Sequence, residues 1–505
     1  MTRSIPQVVV VGGGIGGLTT AAALARLGLD VTVLEAHVYT GGCAGTFYHQ
    51  GYRFDAGATL AAGFYPGGPM EQAAAACGVL DWEVERSDLA MQVHLPEGIS
   101  VPLYGDERRH AARRAAFGPA AARFFAWQER TADALWELAV NSPAWPPQSG
   151  RDLGDLARLG LPWAARRLSQ LPGLGRDAFS PLARRLDGQS AALRQFIDGQ
   201  LLISAQGLSA HINALYGAAA LDLPRRGVVH PRGGMGGVAL RLAAALRAAG
   251  GRLHLRQEVT QITPAEGGYR LATRRGASFF ADRVILNLPR ANIRPLFEPD
   301  WTPRPSDLPV DGWGAFMLYL GVAADAIPDD APLHHQILTG AGWGEGASVF
   351  LSLSPVWDTS RAPVGQRVLT LSTHTRLAPW WDRDDYQARK ELYARRLRAA
   401  AETIFPRLQD RVHLQLAGTP RSFQRFTRRY RGWVGGFPQT NLGRASGPHL
   451  APGVYQVGDS IFPGQSTAAV ALGGLRVART VQQDAAAAAP RLFPSSLGAK
   501  RKEME

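Results

Sequence analysis

Gly12, Gly14 and Gly17 stand at the spacing G-x-G-x-x-G, and the chemistry this spacing serves is the seating of a pyrophosphate. Gly12 permits a tight turn, Gly14 lets the backbone approach a group that a side chain would block, and Gly17 lets a following helix lie close on a sheet. Glu35 follows roughly 20 residues past the glycines, where a ribose hydroxyl needs an acceptor. Other chemistry-bearing residues are sparse. The two cysteines, Cys43 and Cys77, are too few for a disulfide framework and lack metal-ligand spacing, so no metal is expected. No Ser-His-Asp arrangement or carboxylate pair can be assigned, His211 reads as a satisfied core histidine, and the catalytic residues stay unnamed.

The glycines work only if a strand precedes them and a helix follows. Val8 to Val11 form a short β-branched run that reads as a buried strand, Leu18 to Leu27 read as a helix stopped by Gly28, and Val31 to Leu34 give a second strand ending at Glu35. The helix N-terminus then offers free N–H groups and a partial positive charge to phosphates. Val8 to Ala25 carries no charge and is long enough to be taken for a transmembrane helix. Its glycine cluster, and the absence of a basic leader beyond Arg3, argue against both a span and a signal peptide. Two further glycine-rich turns, Gly41 to Thr46 and Gly51 to Thr59, exceed what a nicotinamide site requires and fit flavin adenine dinucleotide (FAD) better.

The chain has 505 residues, enough for two domains or one domain with a large insertion, and its 46% hydrophobic content is that of a globular protein. A net charge of +13 calls for an anionic partner: nucleic acid, a membrane surface or an anionic cofactor. No zinc-ligand pattern or stacking platform supports nucleic acid. The charge is uneven, with thirteen Arg against six acids between Arg108 and Arg185, interleaved with Phe124, Phe125, Trp127, Trp136, Trp145 and Trp163. Such a mixture suits a surface at the headgroup level of a bilayer, and it equally suits a solvated helical face.

Along the chain, residues 1–105 read as the first piece of an FAD-binding domain. Residues 106–225 read as a helical insertion punctuated by prolines. Its uncharged end, Gly199 to Leu221, reads as a helix that lines an apolar cavity or dips into a membrane interface. Nucleotide-domain texture returns over 226–291, where Leu253 to Ile262 and Tyr269 to Thr273 alternate like paired strands. Residues 292–425 form a sheet-plus-helix substrate domain, 426–482 a last FAD-binding piece with a small-residue helix from Ala468 to Val477, and 483–505 a frayed tail. Arg428, Arg429 and Asp55 lie in glycine-rich segments expected near the flavin in positioning or structural roles.

These segments, in this order, resemble the flavin-dependent carotenoid desaturase and isomerase family, a branch of the amine-oxidase-like flavoproteins. The resemblance implies an α/β fold: a Rossmann-like FAD domain built from discontinuous segments, with a mixed α+β substrate domain and a helical membrane-associated insertion. It places Gly12, Gly14, Ile15 and Gly16 on the pyrophosphate, Glu35 on the adenosine ribose, the Val259 backbone on the adenine, and Gly458 and Asp459 on the flavin side of a non-covalent FAD. Many members carry Arg after the double glycine. Here Gly42, Cys43 and Ala44 stand there, a small-residue version similar to the carotenoid isomerase and C-3',4' desaturase branches and to retinol saturases. The resemblance further implies a carotenoid substrate, a location in the cytoplasm at the inner face of the membrane, and quinone or oxygen as electron acceptor. The activity implied is desaturation of a linear carotene, with C-3',4' desaturation of a hydroxylated lycopene derivative as one form. The alternative is redox-neutral cis–trans isomerisation with reduced FAD, and an amine oxidase is more distant.

Overall fold

The computed structural model describes residues 5–304, 308 and 312–487. At its centre lies the strand Gln7–Val11, whose side chains alternate between two layers. Val8 and Val10 pack on helices, while Val9 and Val11 pack on a small antiparallel sheet. None of the four is more than 5% exposed, and burial of each contributes about 2 kcal/mol. The strand pairs in parallel with Asp30–Leu34 on one side and Arg283–Leu286 on the other; Arg252–His254 extends the first edge, and Val454–Gln456 and His449–Ala451 complete six strands. The helical layer comprises Ile15–Arg26, Gly236–Ala248 and the C-terminal helix Thr467–Ala487. The opposite layer is the three-stranded sheet Val259–Ala265, Gly268–Thr273 and Ser278–Ala281. Leu253 and Ile262 thus belong to different sheets, not to one strand. The break at Arg256, in a left-handed conformation, turns the chain between them.

A second, seven-stranded sheet runs in the order Val412–Gly418, Trp313–Ala323, Gln366–Arg376, Ser348–Leu353, His334–Leu338, Leu89–His94, Ser100–Tyr104. The helix Tyr386–Ile404 covers one face, where Phe316, Leu318 and Leu320 alternate inward from the long strand. Ala315 and Met317, pointing the other way, line a cavity. The last two strands come from the segment expected to be wholly nucleotide-binding. Neither strand was singled out in the sequence, and nothing local to them specifies which sheet takes them.

Residues 106–225 are helical, from Arg108–Phe117 to Ala214–Leu221. The uncharged stretch expected as one helix is two, Ala191–Ala205 and Ala214–Leu221, separated where Gln206 adopts φ 54°. His211 sits in the intervening turn and is exposed rather than in the core. Among the described residues no helix is long and apolar enough to cross a membrane. The C-terminal helix continues past Gln483 to Ala487, because Val481 is buried and Asp484 accepts from the Tyr455 hydroxyl (2.8 Å) and lies 2.9 Å from His449 Nε2. The remainder of the expected frayed tail lies outside the described residues.

Candidate active site

The two sheets and the helical lobe enclose one continuous cavity of about 1080 Å³, just above the ~300–1,000 Å³ typical of a site for one small ligand. All eleven residues expected on the cofactor (Gly12, Gly14, Ile15, Gly16, Glu35, Gly42, Cys43, Ala44, Val259, Gly458 and Asp459) line it. They come from five separated stretches of chain.

At the first strand's end Gly12 turns with φ 100°, the conformation that requires glycine. Gly17 closes the turn, since a Cβ there would lie 2.3 Å from the Gly12 carbonyl oxygen. Gly14 has an ordinary φ of −75°, so it is not held to glycine by backbone strain. Its constraint is Asn287, which stands at the end of Arg283–Leu286 and was not singled out in the sequence. Asn287 Nδ2 donates to the Gly12 carbonyl (3.2 Å), and a Cβ on Gly14 would meet the same nitrogen at 2.7 Å. A Cβ on Gly458 would meet Asn287 Oδ1 at 2.7 Å. One amide thus fills the seam between the N-terminal and C-terminal cofactor segments. Its only sequence signal is a polar residue ending the apolar run Val284 to Leu286.

Glu35 accepts from the backbone N–H of Gly13 and of His37, each at 2.7 Å. Burial raises its carboxyl above the usual range against the pull of these bonds. Val259 lies close in the chain to Gln257, whose N–H bonds the Glu35 carbonyl, so the acid and the adenine-side backbone share one wall. The Gly41–Ala44 turn faces the glycine turn through the Gly41 N–H to Gly13 carbonyl bond (2.8 Å), and the Cys43 carbonyl accepts from Ala58 (3.0 Å).

Burial pushes the Cys43 thiol up, opposed by the Arg429 guanidinium. Arg429 is buried: Nε donates to the Trp433 carbonyl and Nη2 to the Gly435 carbonyl, each at 2.7 Å, and Nη1 pairs with Asp459 at 2.9 Å. Burial disfavours its charge, yet Asp459 and Cys43 hold its pKa above the ordinary value. The sequence lacks Arg at position 43, and the structure brings Arg429 to that thiol from the other end of the chain. Arg428 pairs with Glu258 (3.1 Å) and lines the cavity. Asp55 does not line it. It is consumed behind the wall by Thr46 Oγ1 (2.6 Å), the Met235 N–H (2.8 Å) and Arg361 (3.0 Å).

These features fit a dinucleotide: a turn with N–H groups at a helix start, a carboxylate acceptor at the end of the second strand, and a second helix, Thr467–Ala487, whose first residues also line the cavity. A model of the flavin containing amine oxidoreductases matches residues 15–482. The chain belongs to that family. It is an FAD-dependent oxidoreductase, and FAD is its cofactor. This family member is 30% identical to the chloroplastic prolycopene isomerase of Daucus carota, over 95% of this chain and 80% of that protein. It is 26% identical to the carotenoid 3,4-desaturase of Haloarcula japonica (80% and 83%) and 24% identical to the neurosporene-forming phytoene desaturase of Rhodobacter capsulatus (95% and 94%). The fold is shared with an oxidoreductase from Methanosarcina mazei (TM-score 0.60, 19% identical, covering 94% and 100%) and with putrescine oxidase bound to putrescine (TM-score 0.58, 16%, covering 95% and 99%).

In this flavoenzyme, Gly12, Gly14, Ile15, Gly16, Glu35 and Asp459, all on the cavity lining, are the residues that would hold FAD, which would supply a two-electron acceptor there. The protein contributes orientation and exclusion of water. Beyond the glycine turn the cavity continues between Leu202, Ile203, Leu221, Val349 and Phe350, with Gln200, Ser204, Gln336, Ser348 and Ser372 also on its lining.

Proposed function

We propose that the protein is a carotenoid desaturase that introduces a double bond into a linear carotene, with C-3',4' desaturation as the form most similar to its Haloarcula relative. The observation that carries this reading is the continuity of the cofactor end of the cavity with the mainly apolar wall at Leu202, Ile203, Leu221, Val349 and Phe350, which bears no acid–base pair among the described residues. A desaturation needs a hydride acceptor and loss of an acidified proton, and so asks little of the protein beyond holding a polyene against the flavin. Product analysis tests it: a desaturase lowers the mass by two hydrogens and red-shifts the absorption.

The similarity to prolycopene isomerase favours a second reading, cis–trans isomerisation with reduced FAD, which leaves the mass unchanged. An oxidising enzyme needs its flavin reoxidised, by quinone or oxygen. Peripheral attachment to the inner face of the membrane from the cytoplasm is part of the proposal. It is supported by Leu153, Leu161, Leu168 and Phe179, exposed by 60–90% on the helical lobe among Arg151, Arg158 and Arg166, and by a substrate that dissolves in lipid.

A further inference from the structure

In the seven-stranded sheet His334 stands directly opposite Ser352 on the neighbouring strand, and from this pair a chain of three side chains leads to the cavity. Ser352 Oγ donates to Thr59 Oγ1 at 2.7 Å. Its one hydrogen is then spent, so at 2.8 Å from His334 Nδ1 it can only accept, and Nδ1 must carry the ring's hydrogen. Burial holds the imidazole neutral, which leaves Nε2 a bare lone pair. That nitrogen is buried without a protein partner, and the ring lines a void of about 20 Å³, room for one water to donate to it. Every hydrogen in the chain therefore points the same way, from His334 through Ser352 to Thr59. The Thr59 hydroxyl accepts from Ser352 and has no acceptor of its own among the described residues, and Thr59 lines the main cavity. It does so at the cofactor end. The N–H of the preceding Ala58 bonds the Cys43 carbonyl at 3.0 Å, and a Cβ on Gly57 would stand 2.8 Å from the same oxygen, so this segment lies against the Gly41–Ala44 turn.

We propose that Thr59 donates a hydrogen bond to the flavin ring and, backed by Ser352 and His334, raises the reduction potential of the bound FAD. Reduction puts electron density on the ring heteroatoms, so a donor fixed beside them binds the reduced form more strongly than the oxidised one. Ser352 and His334 are positioning residues. They engage the Thr59 oxygen as an acceptor on one side, which reserves its hydrogen for the cavity, and each bond in the chain polarises the next. Both are buried, at 6% and 2% exposure, so water does not compete for the hydrogens that set this direction. The proposal rests on FAD as the cofactor and holds for desaturation and isomerisation alike.

The test is a reductive titration of the FAD-loaded protein against a reference dye, without substrate. Thr59→Val keeps the shape and removes the donor. It should move the reduced-to-oxidised ratio at a given potential about tenfold towards oxidised, a fall of about 30 mV for a two-electron couple. Thr59→Ser should stay within about twofold of wild type, and Ser352→Ala should shift the ratio about threefold, roughly 15 mV. A merely structural role for Thr59 would change flavin content or thermal midpoint and leave the potential unmoved. A Thr59→Val potential equal to that of the wild type, or a fall equally large in Thr59→Ser, overturns the proposal. If Thr59→Val holds no flavin, Ser352→Ala decides, and an unmoved potential there overturns it. The direction of the chain has its own readout in nitrogen NMR spectra of histidine-labelled protein, with the His334 resonances assigned by their loss in His334→Asn. A hydrogen on Nδ1 and a bare Nε2 are expected; the reverse tautomer would turn the chain away from the cavity and overturn the proposal.

Discussion

The two ends of the cavity are built from different materials. At the nucleotide end the backbone does the work: glycines set the turn, N–H groups face inward, and side chains such as Asn287 and Arg429 serve to fix backbone segments to one another. At the substrate end the wall is made of side chains from helices and strands far apart in sequence, apolar ones interspersed with amides, hydroxyls and His374. A backbone-built site tolerates almost no change at its glycines and is indifferent to neighbouring uncharged side chains. A site built of side chains tolerates conservative exchanges and is sensitive to protonation.

Gly12→Val should have the largest effect. It places a branched residue at φ 100° with its Cβ 3.0 Å from the Asn287 carbonyl oxygen, and protein purified from this variant should carry no flavin absorbance. Yellow protein of normal stoichiometry would break the contrast at its root. Acid should act next, through His374 on the cavity wall and through His230 and His335, which are buried outside it. Burial depresses His230, His335 and His374 to about 4, so each stays neutral in the folded protein while the unfolded chain takes up protons below about 6.5. Stability is therefore full above pH 6.5 and falls as the pH drops toward 4, by about 2 kcal/mol per histidine at pH 5. Thermal unfolding followed at pH 7 and pH 5 should show that loss, with carotene binding weakened before flavin is released; an unchanged midpoint would refute it.

Arg429→Met leaves the half-buried Asp459 without its partner, at a cost of about 2 kcal/mol, and should weaken FAD binding by roughly thirtyfold in a titration of apoprotein. Affinity within a factor of about two of wild type would show that the pair is mere scaffolding. Cys43→Ser should do least. The thiol is an uncharged neighbour of Arg429, and a hydroxyl accepts from the same guanidinium, so flavin content and affinity should stay within about threefold. A larger loss would mean that this turn, too, depends on its side chain.

The same contrast explains what was legible in the sequence. Local motifs carried the nucleotide end, because Val8 to Val11, the glycines and Glu35 are contiguous and each residue type has one physical use there. Gly14 was the right residue for an incomplete reason, since the side chain that forbids substitution, Asn287, arrives from a strand more than 270 positions away. Gln200 and Gln336 could not be found by pattern: an isolated glutamine in a helix and another in a strand carry no signal until the sheet brings them to 2.6 Å. Leu89–His94 alternates as a strand should, yet nothing local fixes which of two sheets a half-buried strand joins. The exposed His211 and the split of Gly199 to Leu221 follow from a single left-handed Gln206, a residue type with no particular preference for that conformation.

The C-terminal helix lies so close on the first one that a Cβ on Gly474 would stand 2.9 Å from the Gly16 carbonyl oxygen, and Thr20 reaches the Gly474 carbonyl at 3.1 Å. For a chain emerging from the ribosome this sets a schedule. At about 5–20 residues per second, the first helix waits at least roughly 20 seconds for the partner that covers its Gly16, Thr19 and Thr20 face. The flavin pocket is thus the last part of the molecule to close, and cofactor loading becomes a late event of synthesis, open to competition from chaperones and from aggregation through that waiting face.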